Sequence, residues 1–228
     1  MRKVHIIMQS KGGVGKSYSC SALAQYLSTT GITPFCIDTD PNNPTFASFK
    51  AFNASHIKIN EEGDRINIAA FDKMIELICS QPEDASVVID TGASTFLPLA
   101  QYFAEAPVLD LLKAQGCEVI VHIVIVGGQE LIDTLNSLNA ILVGFPALPV
   151  VVWKNEYKAP VVYEGVTFEE SQFFEAHKER FQAVITLPRW NADTYGKNLM
   201  TVLEKRMTFT EALEDPEIDF IGRMRIGE

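Results

Sequence analysis

Residues 4–17 read VHIIMQSKGGVGKS. An apolar run (Val4–Gln9) passes into a glycine-rich turn, and a Lys-Ser pair opens a helical pattern that runs to Thr29. This strand, turn and helix context is what a phosphate-binding loop requires. Gly12, Gly13 and Gly15 let backbone N–H groups converge on an anion without side chains in the way, and the helix start adds its positive end. Val14 lies among them. Lys16 would then reach the β- and γ-phosphates, and Ser17 would place its hydroxyl on Mg²⁺. Tyr18 completes the expected nucleotide-binding set.

The rest of the chain has the rhythm of an α/β protein. Short β-branched runs (Val4–Gln9, Thr33–Asp38, Ser86–Asp90, Glu118–Val126, Val150–Trp153, Ala183–Leu187) alternate with helical patterns. The helical patterns lie at Lys16–Thr29, Phe71–Ser80, Leu97–Phe103, Val108–Gln115, Glu130–Leu142, Glu169–Arg180 and Asp193–Arg206. Several strand runs are apolar on both faces, as in a parallel sheet covered on two sides. The expectation is a doubly wound, mainly parallel sheet flanked by helices, a P-loop NTPase fold, as a single domain over 1–228. Ligands in such sheets bind at the carboxyl ends of the strands. Asn43–Asp64 has no strong period, and Lys158–Phe168 reads as a loop or a small hairpin.

Asp90 ends the run SVVID, residues 86–90. A carboxylate at a strand end beside a phosphate loop can hold Mg²⁺ through water. Thr91, Gly92 and Ala93 follow as a turn. No N-K-x-D run is available to read guanine, so ATP is expected rather than GTP.

The chain has 228 residues, 47% apolar and 21% charged, with a net charge of −10. That excess of acid disfavours nucleic acid as a partner, since phosphate backbones are gripped by basic faces. The basic residues near the C-terminus (Arg189, Lys197, Lys205, Arg206, Arg223, Arg225) are interleaved with acids. No apolar run reaches the ~18 residues of a membrane span, and the N-terminus has no signal-peptide pattern. Four cysteines without a C-x-x-C pair read as reduced thiols. A cytoplasmic protein without stable membrane insertion is expected.

The form K-G-G-V-G-K-S at residues 11–17, with Ser10 where the common pattern has glycine, resembles the deviant phosphate loop of the ParA/MinD ATPases. That resemblance implies an ATP-dependent homodimer in which Lys11 reaches the partner subunit's nucleotide. It also implies roles for the run Asp38-Thr39-Asp40-Pro41. Asp38 would support the Mg²⁺ water shell, and Asp40 would orient the attacking water. Asn42 stands where the family often has glutamine. The segment at Thr91–Ala93 would be a switch that moves on hydrolysis, Asn155 would contact adenine, and Pro188 would belong to a loop over the base. Trp190 would stack on the base or anchor that loop.

Within this group the chain is most similar to TraL-type proteins of conjugative plasmids. The residues that carry the likeness are HIIMQSKGGVGKS (5–17), Trp153–Asn155 and the basic-apolar tail Ile221–Ile226. The implied activity is slow, partner-regulated ATP hydrolysis to ADP and phosphate. The implied partner is a protein of a conjugation or plasmid-maintenance system. The alternatives are a DNA-binding partition ATPase, a nucleotide-sensing protein-interaction module and a related small-molecule kinase.

Overall fold

The computed structural model describes residues 1–60, 67–105 and 107–227. In chain order the elements are β1 (Arg2–Met8), α1 (Lys16–Thr29), β2 (Phe35–Asp38), β3 (Ser55–His56), α2 (Ala70–Cys79), β4 (Ser86–Asp90), α3 (Phe96–Glu105), α4 (Val108–Ala114), β5 (Cys117–Val126), α5 (Leu131–Gly144) and β6 (Val150–Asn155). There follow β7 (Val162–Tyr163), β8 (Val166–Thr167), α6 (Gln172–His177), β9 (Phe181–Leu187), α7 (Tyr195–Glu204), α8 (Phe209–Glu214) and α9 (Phe220–Gly227). Seven strands form one parallel sheet in the order β3-β2-β4-β1-β5-β6-β9. β7 and β8 form a separate antiparallel hairpin. This is the P-loop NTPase fold that the alternation predicts.

The inner strands are buried along nearly their whole length, because helices cover both faces. On one face, Ile6, Val87, Ile89, Val121 and Ile123 pack with Phe71 and Met74 of α2, Leu99 of α3 and Leu138 of α5. On the other, Ile7, Val88, Ile120, Val124 and Trp153 pack with Cys20, Leu23, Ala24 and Leu27 of α1. A third, small cluster (Val202, Ala212, Ile218) joins α7, α8 and the turn before α9. The Phe209 backbone N–H donates to Gln25 Oε1 at 2.6 Å, which ties this C-terminal layer to α1.

A polar chain crosses the α1 face of the sheet. Trp153 Nε1 donates to His122 Nδ1 at 3.0 Å, and His122 Nε2 lies 2.9 Å from His5 Nδ1. His122 therefore carries its proton on Nε2 and gives it to His5. The remaining proton, on His5 Nε2, is buried without a partner. Burial holds the His5 pKa down at about 4 and the His122 pKa well below the usual histidine range.

Several boundaries move relative to the sequence expectation, each for a local reason. β2 starts at Phe35 rather than Thr33, because Pro34 has no N–H to give the ladder. The helix expected over Glu169–Arg180 shortens to α6, capped where Ser171 Oγ accepts from the Phe174 N–H at 3.1 Å, and ends in a 3-10 turn over Lys178–Arg180. α7 begins at Tyr195 rather than Asp193, because Asn191 Oδ1 accepts from the Asp193 N–H and the Asn191 carbonyl from Thr194 and Gly196. Lys158–Phe168 contains the hairpin. Asn43–Asp64 holds two 3-10 turns (Phe46–Ser48, Lys50–Phe52) and β3, with its Glu61–Asp64 part outside the described residues. α8 and α9 were not anticipated. All four cysteines are free, three of them buried. Among the described residues, no helix is long and apolar enough to cross a membrane.

Candidate functional site

The site is built where β1 ends, between its neighbours β4 and β5. Gly15 caps α1 in a left-handed conformation, φ +99°, which only glycine adopts without cost. A Cβ there would also lie 2.7 Å from Asn155 Nδ2. Lys16 folds back over the loop and donates from Nζ to the Lys11 carbonyl at 3.0 Å. Burial lowers its pKa, opposed by the charges of Asp90 and Asp40.

Asp90 lies behind Lys16 and Ser17, with only 1% of its surface exposed. Neither of its carboxylate oxygens has a hydrogen-bond partner. The Ser17 hydroxyl and Cys20 thiol lie alongside and favour its charged form, without forming a hydrogen bond of ordinary geometry. Burial and the charge of Asp38 nonetheless push its pKa up to about 7. Asp38 is better satisfied: Oδ1 accepts from the Asp40 N–H at 2.9 Å and Oδ2 from the Ala47 N–H at 2.8 Å. Burial still raises its pKa against those two bonds. Asp40 Oδ1 accepts from the N–H groups of Asn42 and Asn43, both at 3.0 Å. Asp40 itself lines the cleft at this site. Gly92 backs Asp40 closely, and a Cβ there would sit 2.9 Å from Asp40 Oδ1.

Gly12, Gly13, Gly15, Lys16, Ser17 and Tyr18 form the floor of a cleft of about 590 Å³. Asp40, Asn42, Asn43, Thr45 and Phe49 line it from the segment after β2, Ala93 and Ser94 from the turn after β4, and Leu203 and Arg206 from the end of α7.

Over residues 5–222 the chain matches the CobQ/CobB/MinD/ParA nucleotide binding domain, CbiA. It belongs to that family. To one family relative, the protein TraL of Escherichia coli, it is 41% identical over 227 residues, which span 99% of this chain and 93% of TraL. Solved structures share the fold. MinD of Aquifex aeolicus in its complex with MinC has a TM-score of 0.56 at 14% identity, covering 98% of this chain and 92% of that one. A plasmid partition protein of Borrelia burgdorferi bound to AMPPNP has a TM-score of 0.52 at 17% identity, covering 99% and 97%.

This member of the CobQ/CobB/MinD/ParA family gathers Lys16, Ser17, Asp38, Asp40 and Asp90 at adjoining strand ends. Asn155 and Pro188 come together differently. Asn155 is paired with Leu187 across β6 and β9, and the Glu156 N–H donates to the Leu187 carbonyl at 2.9 Å. Both stand outside the lining of the cleft, and the Asn155 amide has other partners. Nδ2 donates to the Val14 carbonyl at 2.9 Å, and Oδ1 accepts from the Tyr157 N–H at 3.1 Å. It thus clasps the glycine-rich loop. Trp190 stacks on Tyr195, with ring centroids 5.2 Å apart and planes at 22°, and so anchors its loop. Lys11 leaves the loop toward solvent and pairs with Asp133 of α5 at 2.8 Å. That bond raises its pKa. Sequence reading missed Phe49, Leu203 and Arg206, whose place in the cleft depends on chain paths that no local motif encodes.

Proposed function

We propose that this chain binds Mg²⁺-ATP and hydrolyses it slowly as one half of an ATP-bridged homodimer. Its proposed setting is cytoplasmic, alongside a protein of a plasmid conjugation or maintenance system. One observation carries the chemistry: a buried carboxylate with two unpartnered oxygens, Asp90, stands directly behind a lysine-bearing phosphate loop. The family match supports nucleotide binding, and the identity to TraL supports the setting.

In this reading the N–H groups of Gly12–Ser17 and the Lys16 ammonium hold the β- and γ-phosphates. Ser17 and Asp90, with Asp38 behind them, fit Mg²⁺, which keeps most of its waters and needs few protein ligands. When bound, the ion neutralises charge on the β- and γ-oxygens. Asp40 holds the attacking water through its free oxygen. The water oxygen bonds to the γ-phosphorus as the bond to the bridging oxygen breaks, and its proton passes to Asp40 or to a phosphate oxygen. Asn155 fixes the loop from β6 while its remaining amide N–H reaches the adenine, under the loop that holds Pro188. Among the described residues the Lys11 ammonium is held by an exposed ion pair with Asp133, which a partner's phosphate would displace readily.

Light scattering tests the dimer. Asp40→Ala, with hydrolysis blocked, should double its mass in Mg²⁺-ATP and stay monomeric in Mg²⁺-ADP. Adding Lys11→Ala should abolish the doubling. A monomer in both nucleotides would remove Lys11's role in trans. A second prediction concerns Gly92, which touches no phosphate in this scheme. Gly92→Ala should displace Asp40 and lower the hydrolysis rate at least ~10-fold, part of the ~10²–10⁴-fold that a positioned base supplies, while ATP affinity stays within a few-fold. A phosphate-release assay showing the wild-type rate would detach Asp40 from the chemistry.

A further inference from the structure

The cleft has a cation that the phosphate-loop scheme leaves unused. Arg206 follows the last turn of α7. The turn closes through the Arg206 N–H to the Leu203 carbonyl at 3.2 Å and the Met207 N–H to the Val202 carbonyl at 3.1 Å. That pattern puts Arg206 where helices usually place glycine, and its φ is +56°. A residue with a side chain is strained there. Strain of this kind persists where the surroundings fix it, and they do so here. Directly after the turn, Thr208 and Glu211 form a capping box, and the Phe209 N–H is bonded to α1.

Arg206 also keeps its charge unpaired, as the other described arginines do. Lys205, its neighbour, pairs with Asp215 at 2.9 Å and Glu217 at 2.6 Å. Arg206 makes no ion pair among the described residues, in a chain with a net charge of −10. One of its five N–H donors, on Nη1, goes to the Leu203 carbonyl at 2.7 Å. Arg206 lines the same cleft as Lys16, Gly12, Gly13 and Tyr18. A planar guanidinium with free donors and no carboxylate partner, on a partly buried residue, suits a phosphate, which it can hold through two parallel bonds.

We propose that Arg206 binds the nucleotide's phosphate chain from within the same subunit, so that the C-terminal helices close the cleft. The proposal rests on the phosphate-loop reading above. It differs from the role given to Lys11, which acts across a dimer; Arg206 acts in the monomer and on ADP as well as ATP.

The test is calorimetric titration of wild type, Arg206→Gly, Arg206→Met and Lys16→Ala with Mg²⁺-ATP and Mg²⁺-ADP, beside thermal melts without nucleotide. Glycine relieves the strained φ, so Arg206→Gly should melt at or above the wild-type temperature. It should still bind both nucleotides at least tenfold more weakly, the ordinary size of a lost charge-assisted contact. Arg206→Met keeps the aliphatic stem and the turn but not the charge, and should lose affinity alike. If either variant folds and binds both nucleotides within twofold of wild type, Arg206 has no such role. If wild type binds neither nucleotide, or Lys16→Ala binds as well as wild type, the phosphate-loop reading has failed first, and the proposal falls with it.

Discussion

Asp90→Asn should make the nucleotide-free protein more stable at pH 8, by about 2–4 kcal/mol: a pKa gap of about three units at ~1.4 kcal/mol each, less the cost of burying the amide. Most substitutions of buried residues destabilise; this one should not. The carboxylate is 1% exposed, and neither oxygen accepts a hydrogen bond. Its pKa, raised to about 7 by burial, has the sign of a destabilising group. The folded state favours the protonated form, so the penalty grows as pH rises above the unfolded value near 3.8 and is full above about 7. The gain in the asparagine variant should therefore shrink by pH 5. If the proposed chemistry holds, Mg²⁺-dependent ATP hydrolysis in the same variant should fall at least ~100-fold, because a neutral amide would not replace the charge that Asp90 would offer the metal's water shell. Urea titrations at both pH values and a phosphate-release assay measure the two halves. A variant less stable than wild type at pH 8 would show that Asp90 is a structural residue.

Acid should act in the opposite direction at His5, in the middle of β1. Wild type should lose about 3 kcal/mol of stability relative to His5→Gln between pH 7 and pH 4. The folded protein keeps His5 neutral down to about pH 4, whereas the unfolded chain binds its proton near pH 6.5. Below pH 6.5 the unfolded state holds more protons, so stability is full above that pH and drains away as pH falls toward 4. One pKa unit is about 1.4 kcal/mol, and the gap is about two and a half units. Glutamine keeps an acceptor for the His122 Nε2 proton and does not titrate. His122 and Asp90 titrate in both proteins, so the comparison isolates His5. Denaturant midpoints that fall in parallel for the two proteins would mean that His5 is protonated in the folded state.

Much of the site is legible in sequence because its chemistry demands particular backbones. Gly15 must be glycine at φ +99°, and the order of Gly12, Gly13, Gly15, Lys16 and Ser17 between strand and helix has few other uses. The buried strands are legible because helices on both faces leave no room for polar residues. What escaped was set by distance along the chain. Asn155 clasps Val14 across 141 residues, and Arg206 stands at the cleft in the turn before α8, which is tied to α1 through Phe209 and Gln25. The pairing of His5 with His122 depends on β1 and β5 being neighbours, which alternation alone does not fix. α8 is a different case. Thr208 and Glu211 stand three apart, the spacing of a capping box, and that signal was present but brief.

The sheet order also constrains how the protein emerges from the ribosome. β1 is made first, yet both its partners come late: Lys3 pairs with Ser86 on β4, and Arg2 through Met8 pair with Cys117 through Ile123 on β5. Until residue 90 has been translated, β1 has neither neighbour, and until β5 follows, past the midpoint of the chain, one of its edges stays unpaired. Contacts this far apart in sequence slow folding and expose sticky intermediates. Nascent chains halted before residue 117 should therefore bind a general chaperone and resist release by ATP analogues, whereas chains extended past β5 should begin to bury β1.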